Sequence, residues 1–169
     1  MAEITFKGSP VKTAGNLPKV GTKAPDFQLT SAALADVTLA DYAGKQVILN
    51  IFPSIDTGVC ATSVRKFNAE ASALKNTVVL CISKDLPFAA GRFCAAEGLK
   101  DVITLSEYKN NGFSKNYHVT IADGPLAGLF SRSVIVLDET GTVTYTEQVP
   151  EITQEPDYGK ALLALRANG

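Results

Sequence analysis

The sequence has few cysteines and no close pair of them. Only three occur, at positions 60, 81 and 94, and no C-x-x-C spacing appears among them. The odd number argues against a small secreted protein held together by disulfides. With a single histidine, His118, the chain also lacks the close chelating pair typical of zinc sites, so we predict no metal. In a reducing compartment, scattered cysteines are either inert core residues or redox and nucleophilic residues.

The chain also lacks clustered charge and long apolar runs. There are 16 basic and 17 acidic residues, and the longest basic run is the pair Arg65-Lys66. This predicts no nucleic-acid surface and no polybasic membrane anchor. The apolar run VILNIF is too short to span a bilayer, and Glu3 and Lys7 interrupt any signal-peptide core at the N-terminus. We therefore expect a cytoplasmic protein without a membrane partner.

Apolar patterning predicts alternating strands and helices. Residues 46–53 and 77–83 are apolar on both faces, as in buried central strands. Residues 58–74 repeat apolar side chains at a helical period, and residues 86–99 form a second predicted helix. Around them the pattern predicts an N-terminal β-hairpin, a short strand, a short helix followed by a loop, a second hairpin and a C-terminal helix, within residues 4–15, 101–108, 110–130, 131–149 and 155–168.

This order of elements predicts the fold class. Alternation of strands and helices gives a parallel sheet with helices outside, and the second hairpin adds antiparallel strands. The chain of 169 residues is long enough to bury about two thirds of its unfolded surface without disulfide or metal support. We predict one domain over residues 1–169, a thioredoxin-like three-layer α/β/α sandwich with a mixed sheet and an extra N-terminal β-hairpin.

Cys60 lies at a junction that favours chemistry. In the stretch VILNIFPSIDTGVCATSVRKF, a buried strand leads into a helix that Thr57 or Asp56 can cap. Ligands in open α/β sheets bind beyond the carboxyl ends of parallel strands, where helices begin. Exposed amides and the helix dipole favour a thiolate there. Ionisation alone adds little rate because a less basic thiolate is a weaker nucleophile. The site must therefore also position the electrophile and stabilise its departing charge.

The residues alone leave simpler interpretations open. Cys81 lies within the apolar run VVLCI and is expected to act as a small hydrophobic residue. Cys94 follows Phe93 and precedes two alanines, so burial alone can explain it. Cys60 could pair with His118 in a cysteine hydrolase. It could also be inert in a thioredoxin-fold binding module.

A motif around Cys60 resembles that of the peroxiredoxins. Residues 53–60, PSIDTGVC, match the pattern P-x-x-x-T-x-x-C of that family. The segments TVVLCIS, DLPFA, RFCAAEGL, VITLS and IADGPLAGL resemble the bacterial thiol peroxidase subfamily, the atypical 2-Cys peroxiredoxins. The resemblance covers essentially the whole chain, including the N-terminal hairpin.

The resemblance implies a role for five residues. Cys60 is implied to be the peroxidatic cysteine, which attacks the peroxide and becomes a sulfenic acid. Thr57 is implied to hold the peroxide and the thiolate, Pro53 to shield the thiolate from water, and Arg132 to face it. Cys94 is implied to be the resolving cysteine, which forms an intrachain Cys60–Cys94 disulfide.

The resemblance also implies the partners. The substrates would be hydrogen peroxide and alkyl hydroperoxides, the reductant thioredoxin and the assembly a homodimer, without any cofactor. A disulfide needs Cα atoms within about 7 Å of each other. Because Cys60 and Cys94 lie on different predicted helices, we predict local unwinding before the disulfide closes. The apolar loop at residues 120–130 could line a pocket for bulky hydroperoxides or cover a subunit contact.

Overall fold

A computed structural model describes residues 2–71 and 73–168. It contains nine strands and four α-helices, with a 3-10 helix over Leu39–Tyr42, among these residues. The strands are β1 (Glu3–Phe6), β2 (Ser9–Lys12), β3 (Gln28–Ser31), β4 (Asp36–Thr38), β5 (Gln46–Ile51), β6 (Thr77–Ser83), β7 (Ile103–Ser106), β8 (Ser133–Leu137) and β9 (Val143–Gln148). The helices are α1 (Gly58–Ala71), α2 (Pro87–Glu97), α3 (Gly112–Tyr117) and α4 (Tyr158–Asn168).

Seven strands form one mixed sheet in the order β4-β3-β7-β6-β5-β8-β9. The central strands β5, β6 and β7 are parallel, because α1 and α2 carry the chain back between them. The strands β8 and β9 add antiparallel pairs on one side, and β3 and β4 do so on the other. The prediction of a mixed sheet extended by the second hairpin is confirmed.

The sheet separates two cores, which makes three layers. Successive residues of β5 point to opposite faces, so Ile48 and Leu49 belong to different cores. The α1-side core includes Ile48, Cys60, Phe67, Val79 and Ala161, and the α3-side core includes Leu49, Ile82, Phe113, Tyr117 and Ile135. The predicted thioredoxin-like α/β/α sandwich is confirmed.

Some element bounds differ from the predicted ones. The strand expected to reach Pro53 ends at Ile51, since proline has no amide hydrogen for the sheet. The helix expected over residues 58–74 ends at Ala71, and Ser72 lies outside the described residues. The second helix ends at Glu97, because Gly98 adopts the left-handed conformation of a helix terminus (φ 68°).

The N-terminal hairpin forms a separate two-stranded sheet, as predicted. Its turn residues Lys7 and Gly8 both have positive φ, at 51° and 83°, which suits a tight two-residue turn. Buried contacts of Ile4 and Val11 with Ile121 and Ile152 dock the hairpin on the rest of the chain. No helix within the described ranges combines the length and apolar character needed to cross a membrane.

Candidate active site

Cys60 lies in the first turn of α1, just beyond the end of β5. The Thr57 hydroxyl accepts a hydrogen bond from the Cys60 amide at 3.3 Å and donates one to the Ser54 carbonyl at 3.2 Å. Thr57 thus caps the helix, as one of the two predicted capping residues. The cap fixes the thiol of Cys60 relative to the loop that precedes the helix.

A buried arginine faces the Cys60 thiol. Arg132 is only 2% exposed, and its Nη2 lies 3.2 Å from Cys60 Sγ. Its Nε donates to the Ile152 carbonyl at 2.8 Å, which orients the guanidinium. Its Nη1 is buried and has no hydrogen-bond partner among the residues described. A buried cation favours an anionic partner, and the unpartnered Nη1 can also donate to an oxygen atom.

A mostly apolar cleft of about 360 Å³ opens beside this pair. Thr57, Pro53 and Arg132 line it, together with the apolar side chains of Phe6, Leu126, Leu129 and Ile152. The volume is in the range of small-molecule sites. Leu126 and Leu129 belong to the loop at residues 120–130 and line this cleft, while a subunit contact of the loop stays a prediction.

The other two cysteines have different surroundings. Cys81 is buried in β6, and burial raises the pKa of its thiol to about 12. Cys94 is half-buried in α2, and burial raises the pKa of its thiol as well. All three cysteines are free thiols. Among them, Cys60 alone accepts a hydrogen bond from a guanidinium in the described part of the chain.

The two helices that carry Cys60 and Cys94 are joined to each other. Arg65 of α1 donates two hydrogen bonds to Glu97 of α2, at 2.8 and 3.2 Å. The side chain of Asn68 accepts the amide of Asp101 at 2.8 Å. With both thiols free, Cys60 lies in α1 and Cys94 lies in α2, as predicted from the sequence, and these contacts join the two helices.

Asp85 is a residue of the site that the sequence analysis missed. Its carboxylate accepts hydrogen bonds from Ser54 Oγ at 2.8 Å, the Ile55 amide at 2.7 Å and Ser83 Oγ at 2.6 Å. Asp85 lies just before α2, so it joins the loop before Cys60 to the start of the other cysteine helix. The signal was an acid two residues before a proline at a strand-to-helix junction.

The structure does not bring His118 to Cys60. His118 is exposed at the end of α3, whose buried side chains belong to the α3-side core. Cys60 belongs to the α1-side core, on the other face of the sheet. The cysteine–histidine pair considered from the sequence is therefore not formed.

Comparisons with known proteins identify the relatives of the chain. The Redoxin family model matches residues 19–162. A thiol peroxidase of Corynebacterium glutamicum is 52% identical over 165 residues, which cover 98% of this chain and 99% of the relative. A thiol peroxidase of Mycobacterium bovis is 53% identical over 167 residues, or 99% and 100% of the two chains.

Solved structures agree with this similarity. A peroxiredoxin-like protein from Aquifex aeolicus superposes with a TM-score of 0.93 at 32% identity, over 99% of this chain and 97% of that one. A thiol peroxidase from Chromobacterium violaceum has a TM-score of 0.89 at 21% identity, over 98% and 96% of the two chains, which supports the fold.

Proposed function

The chain belongs to the Redoxin family and is a thiol peroxidase, a peroxiredoxin that reduces peroxides, and on this premise we propose that Cys60 is its peroxidatic cysteine. The observation that carries the proposal is the contact of 3.2 Å between Cys60 Sγ and the buried guanidinium of Arg132. Because the chain belongs to a peroxidase family, the inert binding module and the cysteine hydrolase considered from the sequence are no longer the best interpretations.

The first step transfers one oxygen atom to Cys60. The thiolate attacks the terminal oxygen of the peroxide, the O–O bond breaks, and Cys60 becomes a sulfenic acid. The departing oxygen leaves with the electron pair and takes up a proton to give water or an alcohol. The unpartnered Nη1 of Arg132 is suited to donate to this oxygen as its charge develops.

Thr57 and Pro53 complete the proposed site. The Thr57 hydroxyl is already held by the Cys60 amide and the Ser54 carbonyl, so its position is set before substrate binds. A preset hydroxyl can hold a peroxide oxygen in line with the thiolate at little entropic cost. The buried ring of Pro53 offers no amide hydrogen to water or substrate and shields the thiolate.

Cys94 is proposed as the resolving cysteine. Its thiolate attacks the sulfur of the Cys60 sulfenic acid, an S–S bond forms, and hydroxide leaves and is protonated to water. We propose that α1 or α2 unwinds locally before closure, because both cysteines lie inside helices that Arg65 and Glu97 join. A thioredoxin-type dithiol then reduces the disulfide by exchange.

A non-reducing peptide map by mass spectrometry tests these roles. One equivalent of an organic hydroperoxide should produce a Cys60–Cys94 crosslink within the monomer, absent without peroxide. Cys94→Ser is the matched variant and should retain one turnover that ends at the Cys60 sulfenic acid. A sulfenic acid at Cys60 with Cys94 still free in the unmodified chain contradicts the resolving role. Peroxide consumption without oxidation of Cys60 contradicts the peroxidatic role.

Three expectations from the sequence remain predictions. They are a single domain over residues 1–169, a homodimer, and a cytoplasmic location in which thioredoxin reduces the disulfide after each turnover. The proposed reductant supports the last of these, because disulfide exchange with thioredoxin needs a reducing compartment.

A further inference from the structure

The carboxylate of Glu151 joins the N-terminal hairpin to the segment at residues 150–153. Its Oε1 accepts hydrogen bonds from Thr5 Oγ1 at 2.9 Å and the Gly8 amide at 2.8 Å. Its Oε2 accepts the Lys7 amide at 3.2 Å and both the amide and the hydroxyl of Thr153 at 2.9 and 2.8 Å. These donors, the Thr153 and Gly8 amides first, lower the pKa of Glu151 to about 2.

The hairpin turn depends on this carboxylate. Lys7 adopts a left-handed conformation (φ 51°), which is unfavourable for a residue other than glycine. The amides of Lys7 and Gly8 both donate to Glu151, so one ionised group satisfies both central donors of the turn. Without the carboxylate, the two turn amides lose their acceptors, and the hairpin keeps on this side the backbone bonds of Thr5 with Pro150 and Ile152.

The turn and its partner segment form a wall of the cleft beside Cys60. Phe6 and Lys7 line the cleft from the hairpin, and Ile152 and Thr153 line it from the segment that Glu151 holds. Thr57 and Arg132 line the same cleft, at the proposed peroxide site. Hydrogen peroxide has no carbon chain to reach this wall, whereas an organic hydroperoxide places its apolar group against it.

From this arrangement we propose that Glu151 is a positioning residue that sets the preference for organic hydroperoxides, by holding the hairpin turn as a wall of the cleft. The inference rests on the proposed function of the site. Glu151 acts through Phe6 and Ile152, and it takes no part in the chemical step.

Glu151→Gln tests the inference directly. An amide has one acceptor oxygen, and its NH₂ group faces backbone donors, so the turn loses at least one charge-assisted hydrogen bond. The expected result is a KM for cumene hydroperoxide raised about tenfold, with kcat unchanged and kcat/KM for hydrogen peroxide within about twofold of the parent. Both substrates are measured on the same preparation with thioredoxin as reductant.

Asp138→Asn is the matched control. Asp138 Oδ1 accepts the amides of Thr140 and Thr142 in the turn between β8 and β9, which is the same chemistry at another hairpin. Arg132 precedes the first residue of β8, and this turn follows its last residue. The five-residue strand therefore separates them by about 17 Å. Asp138→Asn should leave the ratio of the two substrate efficiencies unchanged.

Two milder variants keep the test decisive if Glu151→Gln folds poorly. Phe6→Ala removes the apolar wall itself, and Thr5→Val removes one hydrogen bond to Glu151 while keeping the side-chain shape. Both should raise the KM for cumene hydroperoxide selectively, Phe6→Ala more than Thr5→Val.

The outcomes separate this inference from the proposed function. An equal loss of kcat/KM with both peroxides overturns the inference. Such a loss would mean that the substitution disturbs folding, or disturbs Arg132 through its hydrogen bond to the Ile152 carbonyl. Unchanged kinetics in Phe6→Ala and Thr5→Val also overturn it. A parent protein that reduces peroxides without oxidation of Cys60 contradicts the proposed site instead.

Discussion

Cys60 and Cys81 are equally buried thiols of the same core, at 0% and 1% exposure, yet their surroundings differ. Cys60 faces the Arg132 guanidinium at 3.2 Å. Cys81 faces the neutral amide of Asn50, whose Nδ2 lies 3.7 Å from its sulfur. Burial without a cation raises the pKa of Cys81 to about 12 and keeps it protonated. Burial is therefore common to both thiols, and the guanidinium partner is what distinguishes Cys60 from Cys81.

The backbone reinforces this difference. Cys60 lies at the start of a helix, where free amides and the helix dipole favour an anion. Cys81 lies within a central strand whose amides are paired with β5 and β7. The two positions were separable in the sequence, since one follows a proline and a capping threonine and the other sits inside an apolar run.

The largest effect is expected when the guanidinium that distinguishes Cys60 from Cys81 is removed. Arg132→Met keeps an unbranched side chain in the core but deletes the charge beside the thiol. We expect the rate of Cys60 oxidation by peroxide to fall about 10²- to 10³-fold, as when a donor to a developing oxyanion is lost. Single-turnover quenching with mass spectrometry of Cys60 measures this rate.

Arg92→Met is the control for Arg132→Met. Arg92 is exposed and its nearest acidic contact, with Asp56, is 4.0 Å long. We expect its removal to change the oxidation rate less than twofold. A loss under tenfold in a folded Arg132→Met protein would mean that the cation does not make the difference between the two thiols.

The sequence predicted the fold and the position of Cys60 at the start of a helix, but few of the residues that surround Cys60. Periodicity and turn residues report local structure, so the central strands, α1, α2 and both hairpins were predictable from neighbouring residues. Arg132 came only from the resemblance to a family, because it lies 72 residues from Cys60 and nothing local marks it as buried. Asp85 and Glu151 were missed, because each binds backbone amides that become neighbours only after folding.

A second, smaller effect concerns how Cys60 is held. Asp85→Asn weakens three hydrogen bonds, two of them to the loop before α1 and one to Ser83 at the end of β6. We expect Cys60 oxidation to slow about tenfold, and the later Cys60–Cys94 closure to become faster, because the start of α1 unwinds more easily. Time-resolved quenching with a thiol label follows both steps.

The distinguishing feature of that prediction is that Cys60 oxidation becomes slower while disulfide closure becomes faster. Asp123→Asn provides a comparison, since Asp123 accepts the Lys12 amide at 2.8 Å at the N-terminal hairpin. It should leave both steps within about twofold of the parent. If Asp85→Asn slows both steps together, Asp85 supports the reactive geometry but does not restrain the unwinding.

The smallest effect on activity is expected from a substitution of Cys81, the other thiol of the comparison. Cys81→Ala removes one buried sulfur atom from the α1-side core and leaves the Arg132–Cys60 pair intact. We expect peroxide turnover to stay within about twofold, while the free energy of unfolding, measured in urea, falls by about 1 kcal/mol from the small cavity. In the parent, iodoacetamide at pH 8 should leave Cys81 unmodified, since that pH is far below its pKa of about 12. A tenfold loss of turnover with a folded Cys81→Ala protein would make Cys81 a redox thiol, and burial beside a neutral amide would then not be enough to silence it.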